Sequence, residues 1–374
     1  MNNLNTLAEQ TTPQPKDEPE ATSAFRFRFS AGFANVLEDQ QFSLLVTTYQ
    51  AGKLMAVRAR GGRVSTLLRT FERPMGLAVD GGQVALGTRN AIWFLRNAAD
   101  IAPQLEPHGT HDACFSPRQS HITGDMQCHE MAWGKTTHAT SADSVSAPRE
   151  LWAVNTRFSC LTTLHPEYSF VPRWRPPFVS TIAAEDRCHL NGLAMADGKP
   201  QYVTALGRSD EPQGWRPNKV NGGILIDVPS GEVVAHGLSM PHSPRCYAGR
   251  LWVLDSGEGE LQVVEPATGK RDTVARLPGF TRGLAFHGKY AFVGLSKIRE
   301  KKEFGGVPIE SRFSSLECGV WVVNVETGAA GEFMAFEAGC EEVFAVEVLP
   351  GIRWPAIIGF QQETINGVFV VPPI

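Results

Sequence analysis

No apolar run in the 374 residues approaches the ~20 needed for a helix to cross a bilayer, so no membrane partner is expected. The N-terminus lacks the positive end and apolar stretch of a signal peptide. There is no Cys-x-x-Cys pair, and the seven cysteines are an odd number at irregular spacing, which argues against a disulfide framework. Free buried thiols in a reducing compartment follow, and the chain reads as cytoplasmic. Positive charge is not in surplus either. A net charge of −4 predicts no attraction to nucleic acid or to anionic membranes, and Arg173-Trp174-Arg175 and the run from Lys297 to Lys302 read as solvated faces. A Gly-x-Ser-x-Gly elbow is missing, so Ser159 and Cys160 in Asn155-Thr156-Arg157-Phe158-Ser159-Cys160 have no local activating partner. Cys160 and Cys188 read as small buried hydrophobes. Gly222-Gly223 and Gly305-Gly306 lack the strand-to-helix context of a phosphate loop and read as turns.

What is abundant is glycine and proline, 36 and 25 residues, as many tight turns require. A weak repeat runs through them. Asn191-Gly192-Leu193-Ala194 recurs as Met75-Gly76-Leu77-Ala78 and Arg282-Gly283-Leu284-Ala285. Cys128-His129-Glu130-Met131-Ala132, His242-Ser243-Pro244-Arg245-Cys246 and Glu342-Val343-Phe344-Ala345-Val346 keep only its place. A second short apolar run follows most of them, such as Leu151-Trp152-Ala153-Val154 or Leu251-Trp252-Val253-Leu254. A loose period of roughly 40–60 residues built from short strands is the signature of propeller blades. The fold expected is therefore an all-β, six-bladed β-propeller over residues 25–374, with a seven-bladed count left open.

Residues 1–24 hold almost no large apolar groups and are expected to be a disordered tail. Phe25-Arg26-Phe27-Arg28-Phe29 alternates strictly, as a half-buried edge strand does. The first blade has three strand-like runs between Phe42 and Phe71 and no inner strand. Val343 to Val348 can supply it, pairing the two ends of the chain and removing a free sheet edge. The polar stretch from Thr136 to Ala147 reads as a rim insertion. Residues 97–128 and 297–317 read as long connections without helical periodicity, and loops that long are usually functional or disordered.

In a propeller the first residues of each inner strand surround one mouth of the central channel. His129, His189 and His242 fall at that place in three successive blades, beside Glu130 and Glu342. Imidazoles and a carboxylate converging on an axis suit a divalent metal ion, with positions left open for substrate. Arg245 and Arg282 are placed to hold a small anionic molecule by bidentate bonds. His111, next to Asp112, or Glu130 would then move the proton. Arg187 reads as a partner of Glu185 or Asp186, and Trp215 with Lys219 as one wall of a pocket. The function expected is metal-assisted chemistry on a small anion; the competing reading is a propeller that binds a ligand or a protein without catalysis.

Thr48-Tyr49-Gln50-Ala51-Gly52-Lys53-Leu54, His111-Asp112-Ala113-Cys114-Phe115, Glu185 to Ala194, Met240 to Arg245 and Val293 to Glu300 together resemble a bacterial family of conserved hypothetical proteins with a domain of unknown function. The resemblance spans about residues 25–360. It implies a propeller-like domain with a site rich in His and Arg, and carries no assigned reaction. A looser similarity is to gluconolactonase-like six-bladed propellers, which hold a cation at the channel mouth with acidic and Asn ligands where this chain offers His189 and His242.

Overall fold

The computed structural model describes residues 25–135, 149–298, 305–361 and 363–371. The tail 1–24 and the insertion 136–147 lie outside the described residues. Six sheets of four or five strands, antiparallel except for one added outer strand, succeed one another along the chain. Their inner strands are Leu77–Asp80, Cys128–Lys135, Leu190–Ala196, Pro241–Tyr247, Phe280–His287 and Ala345–Pro350. Each inner strand touches the next, and Ala345–Pro350 touches both Phe280–His287 and Leu77–Asp80, so the ring closes. This is a six-bladed β-propeller. Blade 1 contains the N-terminal strands from Phe42 to Thr70, and blades 2 to 6 follow in chain order.

The closure pairs the two ends of the chain as expected. Phe42–Thr48 runs antiparallel to Ala345–Pro350, with Val46 opposite Val346 and Leu44 opposite Val348. Thr47 adds a side-chain tie, donating from its hydroxyl to Met75 O at 2.6 Å while accepting from Ala345 N at 3.1 Å. Arg26–Phe29 lies along Glu332–Ala338 as a fifth strand on blade 6. The core is divided among the blade interfaces. Leu45, Leu54, Leu86 and Phe115 pack between blades 1 and 2, Leu161, Leu190, Val203 and Ile226 between blades 3 and 4, and Trp252, Leu284 and Val293 between blades 5 and 6.

Two elements differ from the sequence expectation. Ala113–Ile122, inside the supposed connection 97–128, is the outer strand of blade 2, and Pro355–Ile357 adds to it in parallel. Helix α1, Ala31–Asp39, interrupts the β pattern. Ser30 caps it by accepting from Phe33 N at 3.3 Å, and Phe33, Ala34 and Leu37 bury against blades 6 and 1. The capping serine followed by Phe33 and Leu37 one helical turn apart is the signal that strand-by-strand reading passes over. Among the described residues no helix is long and apolar enough to cross a membrane.

Candidate active site at the channel mouth

The chain enters the inner strands of blades 3, 4 and 5 in the same way. The residue just before each strand (Gln127, His189, Met240) is left-handed, with φ of 54°, 51° and 51°. Non-glycine residues rarely adopt this conformation, and it collects at functional sites. Two residues on, as the second residue of each strand, stand His129, Asn191 and His242. The true counterpart of His129 and His242 in blade 4 is therefore Asn191. His189 occupies the preceding turn, which corrects its placement on the strand. Asn191 is buried and structural: its Nδ2 donates to Pro241 O at 3.0 Å, and its Oδ1 accepts from the Thr204 hydroxyl at 2.7 Å.

The left-handed turn has a chemical consequence. It aims the carbonyl of Gln127 at Nδ1 of His129, 3.0 Å away, and that of Met240 at Nδ1 of His242, 2.9 Å away. Thr156 donates its proton to Leu190 O at 2.6 Å, so its oxygen accepts from His129 Nδ1 at 2.8 Å. In blade 4, His189 Nδ1 donates to Asp186 Oδ2 at 2.8 Å. All three imidazoles thus carry their proton on Nδ1 and leave Nε2 bare, the orientation that a carbonyl or carboxylate partner imposes on ligating or basic histidines. Burial, and next the charge of Arg282, push the pKa of both His129 and His242 well below the usual 6.5.

A cavity of about 260 Å³ opens over these rings, lined among others by His129, His189, His242, Trp215, Arg282 and Glu342. His189 lies between His129, edge-on with ring centres 4.9 Å apart, and Trp215, tilted at 46° with ring centres 4.6 Å apart. Trp215 donates its indole N–H to Asp186 Oδ2 at 3.1 Å, and an apolar cluster with Leu206, Met240, Phe280, Val307 and Ile309 anchors it. It forms the pocket wall expected from sequence; Lys219 is not part of that wall. Arg282 lies over the Phe344 ring at 3.5 Å and pairs with Glu342 at 3.3 Å. Burial draws its pKa down to about 10, which leaves it charged at neutral pH.

Beneath the mouth a second space, about 10 Å³, sits between His129, Glu130, Asn191, His242, Arg282 and Glu347. That is room for about one water. Here Arg245 is ion-paired with Glu130 and stands 3.8 Å from Glu347. Burial raises the Glu347 carboxyl to about 7, against the lowering effect of Arg245. Arg245 and Glu130 therefore face each other inside the channel, below the cavity. His111 is elsewhere: its ring nitrogens lie 3.3 Å from Trp354 O and Glu106 O at the outside of blade 2, away from the residues that line the cavity.

Among the described residues no three His, Cys, Asp or Glu side chains stand close enough together to share a metal ion. His129 and His189 approach each other, but the His242 ring packs on Phe280 at 5.8 Å. Arg187 pairs with Glu185 and Asp210, which leaves Asp186 for His189 and Trp215. Cys160 and Cys188 are buried and pushed up to about 12, so both stay thiols. Asp186, Tyr49, Arg73 and Phe344 are site residues that sequence reasoning missed; only the turn geometry and the closing of the ring bring them to the cavity.

No curated protein matches the chain. Among solved structures, a nidogen/laminin complex is similar at 10% identity over 83% of this chain and 99% of that one, with a TM-score of 0.48. A protein of unknown function from Bacteroides caccae is similar at 7% identity with the same coverages and TM-score. The family described as Domain of unknown function (DUF4915) matches residues 31–358, and the chain belongs to it.

Proposed function

We propose that the channel mouth is the active site of an enzyme that moves a proton on a small anionic molecule, with His189 as the base. The observation that carries this reading is the Asp186–His189 pair, 2.8 Å apart, with Nε2 of His189 left open in a cavity that also holds Arg282. A carboxylate on Nδ1 fixes the tautomer and stabilises the imidazolium formed when Nε2 takes a proton. Arg282 would hold the anion by its guanidinium edge. His129 and His242, kept neutral, would accept hydrogen bonds from substrate hydroxyls. Glu130 and Arg245 satisfy each other below the cavity and support it from beneath.

A divalent metal at this mouth would draw on His129 and His189, with His242 or Glu342 brought in to complete its shell. Among the described residues the donors as arranged do not close on one point. Elemental analysis of protein purified without chelator or nickel resin tests it directly. One equivalent of a transition metal, lost on His129→Ala with His189→Ala, would restore metal-assisted chemistry as the better reading.

The experiment for the proton-transfer reading is incubation in D₂O with small hydroxy acids and phosphate esters, followed by NMR for exchange or product. Turnover should fall at least about 100-fold in His189→Gln and Asp186→Asn variants of unchanged Tm, the scale on which general bases act. Turnover indifferent to both substitutions would sink the assignment. Failure of every compound to react, with ligand binding retained, would favour the non-catalytic binding propeller.

A further inference from the structure

Three arginines of the cavity wall stand over aromatic rings. Arg73 is over Tyr49 at 5.6 Å, Arg216 over Trp215 at 4.9 Å and Arg282 over Phe344 at 3.5 Å. All six residues line the same cavity. A guanidinium held over a ring keeps its N–H groups available for bonds to oxygen, and Arg282, at 3.5 Å, is the most closely held.

The cations are not spread evenly. Arg282 and Lys297 belong to blade 6, and Arg73 to the turn that leads into blade 2, so they share one arc of the ring through blade 1. Arg89, on the same arc, is already paired with Glu72 at 3.0 Å. Among the described residues that line the cavity, the carboxylate beside these three cations is Glu342, bound to Arg282; Asp125, towards blade 3, is paired with Arg157 at 3.2 Å. Three cations against one anion leave two positive charges for a ligand. The opposite side, blade 4, presents the His189–Asp186 pair under Trp215.

We propose that the ligand of this mouth carries a tetrahedral dianionic head of the phosphomonoester type, seated by Arg73, Arg282 and Lys297, with its other end under His189. The orientation rests on the catalytic reading above; the head-group assignment does not. A phosphomonoester brings close to two negative charges at neutral pH and three acceptor oxygens to three donors. A monocarboxylate would leave one cation unanswered in a half-buried wall.

Isothermal titration of the full chain with inorganic phosphate, glycerol 3-phosphate, malonate and acetate, at fixed ionic strength, tests this. Both phosphates should bind, and acetate should not at the same concentrations. Arg73→Gln and Lys297→Gln, at open and half-buried positions, should each weaken phosphate binding about tenfold without lowering Tm, as loss of one charge-assisted contact does. Glycerol 3-phosphate outbinding inorganic phosphate would identify the ester as the source. Tighter binding of malonate would overturn the tetrahedral head, and acetate matching phosphate, or indifference to both substitutions, would overturn the dianion site. His189→Gln should leave phosphate binding in place. Binding without any His189-dependent reaction would remove the catalytic reading alone, and such a reaction without phosphate binding would remove the head-group assignment alone.

Discussion

Asp186 holds His189 from three residues upstream, Oδ2 to Nδ1 at 2.8 Å, and both residues adopt left-handed backbone, φ 48° and 51°, to do so. Two such turns in four residues carry a conformational cost, and the product is one carboxylate oxygen shared by the imidazole and the buried indole of Trp215. Asp186→Ala removes the acceptor for both N–H groups. It should cost about 2 kcal/mol, the scale for stranding buried donors, and redden the Trp215 emission. Urea unfolding followed by tryptophan fluorescence measures both, and an unchanged midpoint would mean that the clamp is not formed in solution.

His129 and His242 should remain neutral well below pH 6.5, held there first by burial and then by Arg282. Nitrogen-15 NMR distinguishes the protonated Nδ1 from the bare Nε2 in each ring. Between pH 8 and 5.5 both signals should stay in place. A titration of either ring near 6.5 would show water reaching it freely, contrary to its seat at the cavity floor. An Arg282→Gln variant should raise both pKa values by removing the charge that lowers them most.

The blade count and the closing strand were legible because strand periodicity and apolar patterning are local: Val343 to Val348 reads as a strand without a partner, and the run from Phe42 to Phe71 as a blade lacking one. The site was legible only in part. His129, His242 and Arg282 read as mouth residues because each is among the first three residues of its strand. His189 reads as a strand residue with them because Cys188-His189 repeats Cys128-His129 two residues out of register, and a backbone turn of positive φ leaves no mark in composition when a histidine, not a glycine, adopts it. Charge alone points to His111, but which side of a blade a loop reaches depends on contacts such as that with Trp354, which lies 243 residues away.

Gly283 of the Gly-Leu-Ala repeat has φ +79°, and a Cβ there would lie 2.8 Å from Val346 N and 2.9 Å from Ala345 Cα, the backbone of the closing strand. Blade 6 meets blade 1 too closely at the axis for any side chain. Gly283→Ala should cost at least about 2 kcal/mol, combining left-handed strain with the clash. Gly62→Ala is the control, at φ +71° with nothing within 4 Å of the added carbon, and should cost only the strain. Thermal unfolding of the two variants side by side checks this. Equal losses would mean that the closure relaxes around the methyl group.

Glu347 and the two mouth histidines should pull stability in opposite directions with pH. Glu347 sits in the channel with Arg245 3.8 Å away and Glu130 beyond it; its carboxyl is raised from 4.5 to about 7 mainly by burial. Between those values the folded state binds the proton and the unfolded state does not, so this group favours folding at low pH and loses that contribution as pH rises to 7. The span corresponds to at most about 3 kcal/mol, less because 24% of the side chain stays open to the channel. Asp255, raised from 3.8 to about 7 by burial, has the same sign. His129 and His242 have lowered pKa values, so below 6.5 the unfolded state binds protons that the folded state refuses, and stability falls with falling pH. Wild-type stability between pH 5 and 7 is the difference of the two effects. Glu347→Gln should stabilise the protein at pH 8, where the native carboxylate is ionised in a poor environment, and steepen the loss on acidification by removing one of the groups that oppose the histidines. Denaturant midpoints at pH 5, 6.5 and 8 measure this, and a variant that shifts equally at all three would mean that Glu347 is ionised throughout and Arg245 shared by two carboxylates.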